Sequence, residues 1–245
     1  MKDIFGVYYI CCYGEYYLNI VEEQLSVLKN SGLYDITKKI IIFVTLYKNG
    51  DNTNKTNKLN DIFKTFDLNN KFEIITSELN LFEKFAINNY KKYINSPDYY
   101  MYYFHTKGVT RNINVEGETI YHIIRKNLNF YTLTKYKINL ELLEKYDVVG
   151  CSLSKYPKLH FSGNFWWTKS SHINNLPESI NNNYLAPEMY ICSYEKGKYI
   201  SLSNTTNNNC LEETIVNNES VILKNITESI IDNSWVNSEL YRSLC

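Results

Sequence analysis

What this chain lacks narrows its function first. Neither sign of charge is in excess: 26 Lys+Arg balance 26 Asp+Glu, and the formal net charge is zero. A general nucleic-acid binder carries a basic footprint, so no nucleic-acid partner is expected. No apolar run approaches the ~18–20 residues that span a bilayer; one of the longest, residues 40–46, falls far short. The start of the chain (Met1, Lys2, Asp3, Ile4) has no basic segment leading into an apolar stretch with a small-residue cleavage site, so no secretory leader is expected. Glycine is scarce, at nine residues, and proline scarcer, at four. There is no P-loop, no G-x-G-x-x-G, no G-x-S-x-G and no H-E-x-x-H. The turn after the first apolar segment reads Cys12-Tyr13-Gly14-Glu15, which cannot serve as a dinucleotide-binding glycine turn. The six cysteines (11, 12, 151, 192, 210 and 245) form no C-x-x-C and have no histidine at ligand spacing. A disulfide scaffold and a structural zinc site are thereby disfavoured, and a reduced, cytoplasmic protein is expected. Four N-x-S/T sequons, at Asn54, Asn204, Asn218 and Asn225, are no more than chance supplies among 33 asparagines.

What is present suits a folded chain. A length of 245 residues fits one domain with a short appendage. A hydrophobic fraction of 44% suffices for a sizeable core. Tyrosine is abundant, at 23 residues. AT-rich coding explains the Asn and Tyr bias simply, while some of the aromatics could also line a sugar or base site; composition alone does not separate the two.

Along the chain, residues 4–12 (IFGVYYICC) and 39–46 (KIIIFVTL) read as buried strands. Between them, residues 18–29 carry a helical apolar stripe, with Gly32 placed as a left-handed cap. Residues 47–58 are polar and read as a surface loop, 72–75 as a short strand, 81–93 as a helix, and 99–104 (YYMYYF) as a strand. Helical spacing follows at 119–131 and 140–146, a short strand at 148–151, and an aromatic strand or turn at 160–167. Short helices are expected near 170–176 and 188–194, and one amphipathic helix at 220–231. Alternating strands and helices imply an α/β fold with a mainly parallel central sheet flanked by helices on both faces. Residues 1–203 form the expected domain, and 204–245 a helical extension packed on it. Ligands of such sheets bind outside the carboxyl ends of the strands, which directs attention to residues 9–14, 46–50 and 105–110.

Three constellations could carry chemistry. In the first, His105-Thr106-Lys107-Gly108-Val109-Thr110 follows a buried strand directly. Lys107 and Arg111 could neutralise a diphosphate, Gly108 would let the backbone approach it, and His105 and Thr106 could bond to phosphate or a metal. The alternative is a loop whose His and Lys are merely solvated. In the second, His160-Phe161-Ser162-Gly163-Asn164-Phe165-Trp166-Trp167 holds two of the three tryptophans. Adjacent strand residues face opposite ways, so one indole could pack in the core while the other stacks on a sugar; a wholly buried aromatic cluster is the plainer alternative. In the third, Ala186-Pro187-Glu188-Met189-Tyr190 offers either a helix-start acid favoured by the macrodipole or a general base.

Joined in order, these pieces resemble a known family. Glu22-Glu23-Gln24-Leu25, Ser31-Gly32-Leu33-Tyr34-Asp35, Glu83, the HTKG string at 105–108, Arg125, the HFSGNFWW string at 160–167 and Glu188 together look like the small GT-A-type glycosyltransferases of large DNA viruses and some bacterial polysaccharide loci. The resemblance spans roughly residues 4–200, and HTKG and HFSGNFWW are its specific parts. It implies a GT-A-like domain that transfers a hexosyl or deoxyhexosyl group from a nucleotide-diphosphate sugar, UDP-linked in the first instance, to a hydroxyl of a glycan or protein-linked glycan. The D-x-D that usually holds Mn²⁺ or Mg²⁺ in GT-A enzymes is absent, the equivalent strand end reading His105-Thr106-Lys107. Ile124 stands where the family tends to place Trp, and Met189-Tyr190 where aromatics are usual.

Glycosyl transfer needs stabilisation of the departing diphosphate, deprotonation of the acceptor hydroxyl and exclusion of water. The roles that follow are Glu188 as base; His105, Thr106, Lys107, Gly108 and Arg125 around the diphosphate; Tyr8, Tyr9 and Tyr13 against the nucleoside; and Gly163, Asn164 and Trp166 facing the sugar or acceptor. His105 is also the one metal-ligand candidate. Two competing readings remain: a catalytically inactive nucleotide- or carbohydrate-binding module, and a structural α/β domain.

Overall fold

A computed structural model describes residues 2–14, 16–46, 52–79, 81–110 and 120–202. In chain order the strands are β1 (Asp3–Cys12), β2 (Lys39–Leu46), β3 (Phe72–Ser77), β4 (Tyr99–His105), β5 (Val148–Gly150), β6 (Leu153–Ser154), β7 (His160–Phe161), β8 (Trp166–Lys169) and β9 (Tyr199–Ser201). The helices are α1 (Tyr17–Asn30), α2 (Leu33–Ile36), α3 (Asn52–Phe66), α4 (Lys84–Ile87), α5 (Ile120–Asn129), α6 (Tyr136–Leu143), α7 (Ser170–Ile173) and α8 (Ala186–Tyr190). A 3₁₀ turn covers Tyr90–Tyr93, and a π-helical turn, Phe130–Thr134, joins α5 to α6.

The main sheet has the order β3-β2-β1-β4-β8-β5-β9. β1 pairs in parallel with both β2 and β4, and β2 with β3. β8 is antiparallel to both β4 and β5, and β9 runs parallel to β5. Six of the seven strands thus run one way and β8 is reversed, which makes this a mixed α/β fold with a mostly parallel sheet. β6 and β7 form a separate two-stranded ribbon.

The central strands are apolar throughout because both faces are covered. Every residue of β4 is buried, as is all of β1 after Asp3 and all of β2 after Lys39. β3 lies at the sheet's edge, and its exposure alternates along the strand as expected where one face is open. α1 buries Tyr17, Ile20, Val21, Gln24, Leu25 and Leu28, the spacing of one helical face.

Four expectations need correction. The stretch read as a loop at 47–58 is helical from Asn52 onward: Lys55, Leu59 and Phe63 recur at four-residue spacing and are buried, so a thin stripe within a polar sequence suffices once a sheet covers it. The helix expected over 81–93 is broken into α4 and the 3₁₀ turn. The aromatic stretch at 160–167 contributes two strands, β7 and β8, joined by a tight turn. The two indoles do face opposite sides of β8, yet both are buried because helices cover both faces. Trp166 stacks on Tyr103 (ring centroids 5.1 Å), and Trp167 packs on Tyr102 (4.9 Å). The extension expected at 204–245 and its helix at 220–231 lie outside the described residues.

Candidate functional site

In an open parallel sheet, the crevice for a ligand lies where neighbouring strands lead off in opposite directions. Here that point falls between β1 and β4: the chain runs from β1 outward to β2 and β3, then returns to place β4 on β1's other side. A cavity of about 210 Å³ opens at their carboxyl ends. β1 supplies Tyr9 and Cys11, the β4 exit supplies residues 105–110, and the start of α8 supplies Pro187 and Glu188. Phe82, Glu83, Tyr121, Tyr184 and Leu185 complete the wall.

The β4 exit is fixed from beneath. Thr106 donates its N–H to the Tyr9 carbonyl (3.1 Å), and its Oγ1 accepts the Cys11 N–H (3.0 Å), so Thr106 clips the two strand ends together. Gly108 has φ 82°, a left-handed conformation, and a Cβ there would come within 2.9 Å of Tyr121 Cβ; glycine answers both constraints. Arg125 on α5 is almost fully buried. It donates to both oxygens of Glu23 (Nε 3.2 Å, Nη2 2.8 Å) and, through Nη1, to the Lys107 carbonyl (3.2 Å). Asn129 donates to Glu23 (3.0 Å), while Gln24 donates to Asn129 (2.9 Å) and to the His105 carbonyl (3.0 Å). This α1–α5 network fixes the backbone of residues 105–107 and leaves the Lys107 side chain toward the cavity.

His105 is buried within the cavity wall, its Nε2 2.9 Å from the Gly163 carbonyl. A carbonyl only accepts, so Nε2 carries the hydrogen. Burial lowers the His105 pKa, with Glu83 acting in opposition, so the ring is neutral at neutral pH. Gly163 and Asn164 take φ of 92° and 55° to make this turn. Glu83 Oε2 accepts from Asn164 Nδ2 (2.6 Å) and from the Tyr103 hydroxyl (3.0 Å), and its Oε1 lies 3.6 Å from His105 Nε2. Asn164 Oδ1 in turn accepts the Trp166 indole N–H (2.8 Å). Within the cavity lining, Lys107 Nζ lies 3.6 Å from Glu188 Oε1, each side chain about one-quarter exposed.

The structure brings His105, Thr106, Lys107, Gly108, Tyr9 and Glu188 to one cavity. Arg111 lies outside the described residues. Tyr8 is placed elsewhere: it is fully buried, stacks on Phe104 (4.1 Å) and donates to Gln24, so no base can stack on it. Tyr13 is exposed but is not part of the cavity wall. Trp166 is fully buried and faces no sugar. Gly163, Asn164 and Arg125 stand behind the wall and shape it through His105, Glu83 and Lys107. Glu83 carries no role in the sequence reading; its partners lie 20 to 81 residues away, and only the fold joins them. Lys55, almost buried, reaches from α3 to the Cys12 carbonyl at the β1 exit (3.3 Å). The Cys11 thiol is pushed up to about 11 by burial and stays protonated at neutral pH.

The described residues do not fit a metal centre. No three His, Cys, Asp or Glu side chains gather among them. His105 Nε2 is committed to Gly163, and the cation facing Glu188 is a lysine. Among the described residues no helix is long and apolar enough to cross a membrane, and Cys11, Cys12, Cys151 and Cys192 form no disulfide.

A family model described as "Domain of unknown function (DUF8361)" matches residues 14–214. No curated protein matches the chain. Among solved structures it is similar to HddC from Yersinia pseudotuberculosis, with TM-score 0.46 and 13% identity over 83% of this chain and 90% of that one. It is also similar to PcManGT, a mannosyltransferase from Pyrobaculum calidifontis solved with GDP-Man and Mn²⁺, with TM-score 0.48 and 11% identity over 82% of this chain and 56% of that one. A third is 4-diphosphocytidyl-2C-methyl-D-erythritol synthase from Anaerococcus prevotii, with TM-score 0.45 and 8% identity over 94% and 96%.

Proposed function

We propose that this chain, which belongs to the DUF8361 family, is a glycosyltransferase. It transfers a sugar from a nucleoside-diphosphate donor, UDP-linked in the first instance, to a hydroxyl of a glycan or protein-linked glycan. One observation carries the reading: a lysine and a carboxylate, paired 3.6 Å apart, line one cavity at the sheet's switch point. A diphosphate leaving group needs a cation held where its negative charge grows, and Lys107 stands there on a backbone fixed by Arg125. An acceptor hydroxyl needs a base, and Glu188, at the start of α8, stands beside Lys107. In the free protein the two neutralise one another. The donor's phosphate oxygens take over Lys107 and release Glu188, so the base becomes available only once the donor is seated. Tyr9 and the exposed aromatics at the rim exclude water from the reacting centre. No step here passes through a metal.

The test is to incubate the protein with a panel of nucleotide sugars and glycan acceptors, with and without Mn²⁺, and to follow free nucleoside diphosphate. Turnover with one donor, abolished in Glu188→Gln, is expected. A protein that binds nucleotide sugars yet never releases nucleotide is a binding module, and the transferase reading then fails.

A further inference from the structure

A carboxylate other than Glu188 faces the same cavity, and its surroundings are built rather than incidental. Glu83 spends Oε2 on two donors whose residues are fully buried, Asn164 and Tyr103. Among the described residues Oε1 makes no hydrogen bond; His105 Nε2, which already donates to Gly163, lies 3.6 Å from it. The Glu83 side chain remains 20% exposed. One oxygen is thus anchored and the other is an open acceptor on a rigid mount. Beside it, Phe82 adopts φ 48°, an outlier for a bulky residue, and strain of this kind clusters at ligand sites. Its ring meets Tyr184 edge-on at 6.4 Å, and both rings are exposed on the cavity wall.

We infer that Glu83, with the Phe82–Tyr184 pair, forms the seat of the donor's sugar. Glu83 accepts hydrogen bonds from ring hydroxyls, and the aromatic faces cover the sugar's C–H surface. The inference rests on the proposed function and deepens it: the seat takes a pyranose that still carries free hydroxyls on the edge facing Glu83. The donor's sugar is the better occupant than the acceptor's because Glu83 lies against His105, two residues from the lysine that grips the diphosphate. A fixed carboxylate is a strong partner for hydroxyls because charge-assisted bonds are short, and its mount is set before binding.

Glu83→Gln and Tyr184→Ala test the seat by calorimetric titration with UDP, GDP and a series of their sugar derivatives, including deoxy analogues. Gln keeps an oxygen for Asn164 and Tyr103 while removing the charge; Tyr184 is 75% exposed, so its loss leaves the core intact. In Glu83→Gln the affinity ratio of nucleotide sugar to bare nucleotide is expected to fall on the order of tenfold to a hundredfold, as for loss of a hydrogen bond to a charged group. Bare-nucleotide affinity should stay within about twofold, the mark of an intact cradle. Tyr184→Ala should lower the ratio less, and a wild-type preference for one hydroxyl over its deoxy analogue should vanish in Glu83→Gln. An unchanged ratio in Glu83→Gln overturns the seat, as does an equal loss for bare nucleotide. A defect confined to acceptor KM overturns its assignment to the donor. A wild-type protein that binds no nucleotide at all overturns the transferase reading beneath it.

Discussion

Removing the carboxylate of Glu23 should destabilise the protein more than removing the arginine it holds. Arg125 is 1% exposed, whereas the Glu23 side chain is 28% exposed. Glu23→Ala strands a guanidinium that water does not reach, and it also takes an acceptor from Asn129. Breaking a buried pair this way costs ~3–5 kcal/mol; the partial exposure of Glu23 places the expectation at the low end, about 3 kcal/mol. Arg125→Met fills similar volume and leaves a carboxylate that water can solvate, so about 1–2 kcal/mol is expected. For a chain of this size each kcal/mol moves Tm by roughly 2–4 °C. Glu23→Ala should therefore melt about 6–12 °C lower, and Arg125→Met about 2–8 °C lower. The double variant should lie near Arg125→Met, since the stranded charge is gone, which yields a coupling of about 3 kcal/mol. Differential scanning calorimetry of the four proteins measures the cycle. A Glu23→Ala shift under about 2 °C, or simple additivity, would refute the buried-network account of the 105–107 backbone.

Other expectations follow from the same geometry. Lys107→Ala should weaken nucleoside-diphosphate binding at least about tenfold, and an unchanged dissociation constant by calorimetry removes Lys107 from the site. Glu188→Gln should bind nucleoside diphosphate as tightly as the parent or more tightly, because the carboxylate competing for Lys107 is gone; weaker binding contradicts the exchange. Gly108→Ala should lower stability by at least ~1–2 kcal/mol from the left-handed φ alone, read as a lower denaturant midpoint. His105 and His172 both have pKa values lowered by burial in the folded state. The unfolded chain then binds more protons than the folded one below the ordinary histidine value of 6.5, so stability should fall as pH drops through that point and should not respond to these groups above it. Urea titrations between pH 7.5 and 5 measure the slope, and a flat profile contradicts the buried, neutral assignment.

The strands at the centre of the sheet were legible because their apolar runs leave no other reading: β1, β2 and β4 are buried on both faces and show it residue by residue. The rule that ligands sit at carboxyl ends then located residues 105–108 without any knowledge of their partners. Local pattern failed where tertiary cover decided the outcome. α3 rests on three inward residues in an Asn- and Lys-rich stretch, too few to outweigh its polar composition. The reversal of β8 depends on which neighbour it meets, which alternation alone does not encode. Trp166 and Tyr8 looked like ligand aromatics because sequence shows residue type and not depth. Glu83 and Arg125 draw their significance from partners up to 109 positions away, and no local signal announces such pairings.

On the proposed function, the cavity between the β4 exit and α8 grips a nucleotide sugar by its diphosphate. A crystal structure of the complex with a turned-over nucleotide sugar tests it most directly. The diphosphate should lie within hydrogen-bond distance of Lys107 Nζ, with the sugar's anomeric carbon between it and Glu188. A diphosphate seated elsewhere, such as the larger hollow beyond α8 lined by Pro157, Pro177 and Met189, would contradict the account.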